Sequence, residues 1–211
     1  SLHDALPISE TVDRDVDRLS LALYQACVEK LDERLGRLLR EYQRHARADS
    51  LLIVAGLQGD RLPLAWPVQR EVTLCSELVQ VLLFVQPGLG WFAGEEREPE
   101  GMTVLDLVQI TDIWSTVAAT LGSAMDSPGR IDLREVALKK TPGREKIEIT
   151  GPDGERLVRS SVAQLVIRQT DSELNHWLTV KPDDAWDLLN VAGQNAALVE
   201  ELAGGQEGRD S

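Results

Sequence analysis

The most regular alternation of apolar and polar positions runs from Glu10 to Ala48. Val12, Val16, Leu19 and Leu23 recur at steps of four, three and four. After a slip of one residue, Tyr24, Val28, Leu31, Leu35, Leu38 and Tyr42 continue at steps of four, three, four, three and four. Such steps align side chains on one face of an amphipathic helix. The other faces carry Asp13, Arg14, Asp17, Arg18, Glu29, Lys30, Glu33, Arg34, Arg37, Arg40 and Glu41, with opposite charges three or four residues apart. At 1.5 Å per residue the helix would be roughly 55 Å long, more than a compact domain of this size needs. The stretch therefore reads either as a core helix of one domain or as a coiled-coil-like seam for a second chain or another partner, with Val28, Leu31, Leu35 and Leu38 as contact residues. Gly36 within it costs about 1 kcal/mol relative to Ala.

Beyond Asp49-Ser50 the pattern shortens. Leu51–Leu57 reads as a strand, paired in a hairpin with Arg61–Val68, where Pro63 and Pro67 confine the second strand to an edge. Glu71–Val85 fits a helix or a strand, and its length favours helix. Gln86–Gly101 is irregular, with the adjacent aromatics Trp91 and Phe92. They either tuck onto the core or present an exposed partner anchor, and both are candidate partner-binding residues. Met102–Met125 predicts the most buried helix, packed on the first, opening at Thr103 with Asp106 as its acidic start signal. Ser127-Pro128-Gly129 ends it and marks the boundary between a helix-rich front half (10–127) and a back half (128–203).

In the back half the period changes. Ile131–Leu138 fits strand or helix. Lys146–Thr150, Glu155–Ser160, Ala163–Gln169 and Asn175–Val180 alternate as strands joined by turns, which predicts an antiparallel meander, one face wet and one covered. Pro182 opens a last helix over the meander, with Ala185, Leu188, Leu189, Ala192, Ala196, Val199 and Leu202 on its apolar face. Trp177 would lie between the two, and Trp114 and Trp186 would be core residues. The fold class is α+β: a helix-rich N-terminal half with a long amphipathic helix, then an antiparallel β-meander capped by a C-terminal helix. Residues 204–211 are read as a polar tail.

Composition narrows the function. The chain has 211 residues, 43% hydrophobic and 27% charged, with a net charge of −13. That charge argues against a nucleic-acid or anionic-membrane surface, and Arg34, Arg37, Arg40, Arg44 and Arg47 form its best basic strip. No apolar run reaches the ~20 residues that span a bilayer. Cys27 and Cys75 are far apart and lack CxxC partners, so both read as small buried hydrophobes in a reducing, cytoplasmic setting. The opening Ser1–Ser9 resembles the translation of a sequencing adapter, so residues 1–9 are set aside as non-native and His3 with them.

Candidate chemistry is sparse. Arg40-Glu41-Tyr42-Gln43-Arg44-His45 has an Arg-x4-His spacing near a helix end. It resembles the signature of the higher-eukaryote-and-prokaryote nucleotide-binding (HEPN) ribonucleases. The resemblance implies that Arg40 stabilises phosphate and His45 moves a proton or orients a 2′-hydroxyl, across a dimer. It covers six residues, and that family is an all-helical bundle, whereas this chain has predicted strands. The bland alternative is a solvated basic helix end meeting the C-terminal dipole. His176 beside Trp177, with Asp171 and Glu173 near in sequence, lacks metal-ligand spacing. Glu95/Glu96, Asp183/Asp184 and Glu200/Glu201 are adjacent surface pairs, and no phosphate loop, serine elbow or HExxH motif occurs. No cofactor or metal is expected. The sequence points first to a non-enzymatic interaction protein, an adaptor or chaperone-like accessory chain that associates with itself or a protein partner. The alternatives are the ribonuclease and a small-ligand binder with a pocket between the halves.

Overall fold

The computed structural model describes residues 8–59, 74–92, 101–123, 129–151, 154–170, 173–185 and 187–204, with the backbone alone over 8–17. Its largest packed unit is a four-stranded antiparallel meander: β3 (Lys146–Thr150), β4 (Arg156–Ser160), β5 (Ala163–Gln169) and β6 (Leu174–Val180), in that spatial order. Strand side chains alternate between faces, and register turns the alternation into rows. Ile149 pairs with Leu157, Leu157 with Val166, and Val166 with Trp177 on one face. Val158, Leu165 and Leu178 form the row on the other. Both rows are covered, where a wet face was expected. Val199 and Leu202 of helix α5 (Ala196–Ala203) close the Val158 row. Leu74 and Val79 close the Leu157 row, and Trp177 packs there, away from α5. Full burial of Leu157, Leu165, Leu178 and Leu202 stabilises the fold by roughly 1.5–3 kcal/mol for each side chain.

The predicted last helix starts late. A single 3₁₀ turn, Ala192–Gln194, precedes α5, and the chain before it is irregular. The Asp184 carboxylate accepts from the N–H groups of Leu188 (2.9 Å) and Leu189 (2.8 Å), taking amides that a helix would use. Asp187 has φ +56°, outside the helical region. Leu188 and Leu189 are consequently exposed, and Trp186 lies outside the described residues.

The front half departs further from expectation. Helix α1 (Ile8–His45) is a single continuous element. Strand β1 (Leu52–Ala55) pairs antiparallel with β2 (Leu83–Gln86); its predicted partner at 61–68, with Trp66, lies outside the described residues. The segment read as a helix to Val85 holds one turn, α2 (Ser76–Val79), and then becomes β2. Leu83-Phe84-Val85 is a strand-favouring run, and β1 offers it a ladder with Val54 opposite Phe84. Met102–Met125 is likewise mostly not helix: α3 spans Asp112–Thr120. Asp106 does not cap it. Its carboxylate accepts from Lys139 Nζ and from the Gly143 N–H (3.4 Å), and Leu107 bridges Arg144. Helix α3 packs on α4 (Leu133–Ala137), not on α1, and Trp114 and Leu121 face solvent. The predicted boundary at Ser127-Pro128, the acidic run 95–98 and the tail from 205 lie outside the described residues.

Candidate interaction surface

Among the described elements, none packs along the length of α1. Among the described residues its C-terminal end alone is tied down. Tyr42 Oη donates to the Ser50 carbonyl (3.1 Å), and the Leu89 N–H donates to the Ala48 carbonyl (2.6 Å). The apolar seam is therefore left in solvent. Leu19, Leu23, Leu31 and Leu38 are 61%, 59%, 63% and 59% exposed. Tyr24 and Val28 are exposed as well, while Leu35 and Tyr42 are half-buried. Cys27 is also exposed, correcting its reading as a buried hydrophobe; Cys75 is buried. Isolated exposed leucines are ordinary, but aligned large apolar side chains on one helix are the mark of a contact surface.

The polar flanks are held within the helix. Glu33 pairs with Lys30 and Arg37, and Glu41 lies 2.7 Å from Arg44 and 3.5 Å from His45. These pairs are exposed and contribute little stability each. They order the basic face without covering the seam. Arg40 and His45 stand exposed in the last turns, with Glu41 the carboxylate at His45. No described residue joins them into an acid–base site.

Trp91 and Phe92 are each 8% exposed, in edge-to-face contact at 5.3 Å. Trp91 Nε1 donates to Thr120 Oγ1 (3.1 Å), fastening the chain after β2 to α3. This corrects their reading as exposed partner anchors: the rings are already satisfied inside the subunit.

Two buried polar clusters escaped sequence reading. The first centres on Asp187, which is fully buried. It accepts from Lys181 Nζ, Thr179 Oγ1 (3.0 Å) and the Ser76 N–H (2.6 Å). Ser76 Oγ donates to Gln164 Oε1 (3.1 Å). Burial pushes the Asp187 carboxyl up, but the Lys181 ammonium and the Ser76 amide outweigh it and hold it below the usual carboxylate range. Burial lowers the neighbouring Arg159 guanidinium, with Asp187 opposing. The second joins α3 to α4. Asp112 accepts from Arg144 and from the Gln109 N–H (2.8 Å), and Thr116 Oγ1 accepts from the Leu133 N–H (2.9 Å). Every acid in these clusters is engaged with a structural cation or amide. The arrangement fastens segments distant in sequence. Lys181 and Asp184 hinted at the first cluster as charges directly after a strand; nothing local to Ser76 marks it as a partner.

His176 lies half-buried on the α5 face of β6, and its Nε2 has no hydrogen-bond partner among the described residues. Among the described residues no group of three or more His, Cys, Asp or Glu is placed to hold a metal, and no helix is long and apolar enough to cross a membrane.

No family model matches the chain, and no curated protein matches it. A solved Bacteroides thetaiotaomicron structure, from work on the metabolism of multiple glycosaminoglycans orchestrated by a versatile core genetic locus, is similar at 20% identity, with a TM-score of 0.37 over 44% of this chain. The chain spans 23% of that protein's length, and a likeness of this depth carries no argument about fold or activity.

Proposed function

We propose that this chain is a non-enzymatic interaction protein, of the adaptor or chaperone-like kind, and that the apolar seam of α1 is the surface through which it works. The supporting observation is that Leu19, Leu23, Leu31 and Leu38 line one face of a continuous helix and remain largely in solvent. The hydrophobic effect favours covering such a strip, at roughly 25 cal/mol for each Å² removed from water. The thiols of Cys27 and Cys75 suit a reducing, cytoplasmic setting.

The reading is tested by light scattering over a concentration series. The expected particle mass exceeds the single-chain 23.3 kDa and collapses to it in the Leu31→Asp/Leu38→Asp variant, with the meander's thermal transition unchanged. A single-chain mass at every concentration, with Cys27 shielded from a thiol reagent, overturns it. The ribonuclease alternative is separated by incubation with single-stranded RNA, which the interaction reading expects to survive intact.

A further inference from the structure

We infer that the α1 seam meets a second copy of itself, antiparallel, with the two-fold axis passing at Cys27. This rests on the contact-surface reading above and specifies its occupant.

The first argument is spacing. With exposed Cys27 taken as the middle of the seam, the slip between Leu23 and Tyr24 disappears. The stripe becomes Val12, Val16, Leu19, Leu23, Cys27, Leu31, Leu35, Leu38 and Tyr42. Its steps are four, three, four, four, four, four, three and four, the same in both directions. A two-fold axis at residue 27 sets Leu23 against Leu31 of the second copy, Leu19 against Leu35, Val16 against Leu38 and Val12 against Tyr42. Every layer is then apolar on apolar, as a self-complementary interface requires. At 3.6 residues per turn, Gly36 lies on the side of the helix opposite Cys27, so the stripe itself contains no glycine.

The second argument is charge, which separates antiparallel from parallel. Residues 8–18 carry the acids Glu10, Asp13, Asp15 and Asp17 against two arginines. Residues 34–45 carry Arg34, Arg37, Arg40 and Arg44 against Glu41 alone. Antiparallel copies bring the acidic end to the basic end; parallel copies stack like on like. Within α1 eight acids face seven Lys and Arg, so the chain's net −13 resides almost wholly outside the helix. Antiparallel pairing puts the two acidic bodies at opposite ends of the pair, their α1 ends about 55 Å apart and far beyond the ~8 Å screening length at physiological ionic strength. Parallel pairing would set them side by side.

The test uses the full chain in a Cys27→Ser background, with Leu23→Cys and Leu31→Cys made as separate variants. Both positions are exposed, so neither thiol disturbs a core, and buried Cys75 serves in all samples as an unreactive control. The two variants are mixed, allowed to exchange subunits and mildly oxidised. The expected product is the mixed disulfide between residues 23 and 31, with neither variant cross-linking to itself. Self-linking of each variant without the mixed product shows a parallel pair; it overturns the inference and leaves the contact-surface reading standing. A chain that stays monomeric, with thiols at 23 and 31 freely reactive, overturns the inference alone. A monomer in which both thiols are shielded overturns the inference and the reading together.

Discussion

At the residue scale the most consequential side chain is Asp187, which the sequence does not advertise. It holds Lys181, Thr179 and Ser76 in one buried cluster and so connects α2 to the far end of the meander. Asp187→Asn leaves the Lys181 ammonium buried opposite a neutral amide. Removing one partner of a buried pair typically costs about 3–5 kcal/mol, which for a chain of this length lowers the melting temperature by roughly 10 °C. Urea titration and thermal scans check this, and Lys181→Met in the same chain should restore part of the loss. The cluster also fixes an acid dependence. The folded chain holds the Asp187 carboxyl below its ordinary value, so the folded state takes up that proton less readily than the unfolded chain. Its contribution is complete above the ordinary aspartate range near 4 and is lost as pH falls through the lowered folded value. The stability gap between wild type and Asp187→Asn should therefore be constant near neutrality and shrink below about pH 4. A gap that widens toward acid would contradict the assignment.

At the element scale, what could be read from sequence depended on whether an element's partners lie nearby. The meander was legible because each strand pairs with the next, and alternation alone sets its faces; β3 to β6 fall at or within a residue of the predicted spans. The long α1 was legible from its period. Elements defined by distant partners were not. Leu83–Gln86 becomes a strand because β1 waits roughly thirty residues earlier in the chain, and Met102–Met125 fails as a helix because Lys139, Gly143 and Arg144 hold its first third extended. Of the candidate contact residues, Val28, Leu31 and Leu38 were placed on one helix by their period, and it is the structure that leaves them in solvent. For Trp91 and Phe92 burial was one of two readings, and the choice between them could not be made locally, because Thr120 of α3, which accepts from the Trp91 indole, lies about thirty residues further along the chain. Glycines report the same division. A methyl added at Gly36 would make ordinary contact with the flexible Arg40 guanidinium at 3.5 Å. Gly36→Ala should stabilise α1 by up to about 1 kcal/mol, seen as a gain in helical circular dichroism on mild heating. A methyl on Gly88 would sit 2.4 Å from the Asp49 backbone, where α1 is tied to the β1–β2 hairpin. Gly88→Ala should cost about 1–3 kcal/mol and loosen that junction, raising amide exchange at Leu89 and Ala48.

At the scale of the whole molecule, two kinds of stability coexist. The meander is sealed on both faces, by α5 on one side and by the Leu74–Val79 segment on the other, and carries the most deeply buried leucines. Among the described residues helix α1 buries no comparable face, and an isolated helix draws little stability from propensity and exposed ion pairs. Native-state hydrogen exchange should therefore resolve two tiers. Amides of Leu157, Val158, Leu165 and Leu178 should exchange only through global unfolding, insensitive to protein concentration. Amides from Leu19 to Leu38 should exchange quickly in dilute solution and slow as concentration rises, because covering the seam is what stabilises the helix. If α1 were as protected as the meander at high dilution, its stability would come from within the subunit, and the seam would not be the surface that recruits a second molecule. Concentration-dependent slowing confined to α1, with the meander unmoved, would place association and folding on separate elements: a sealed sheet that keeps its structure alone, and a helix whose order is completed by what it binds.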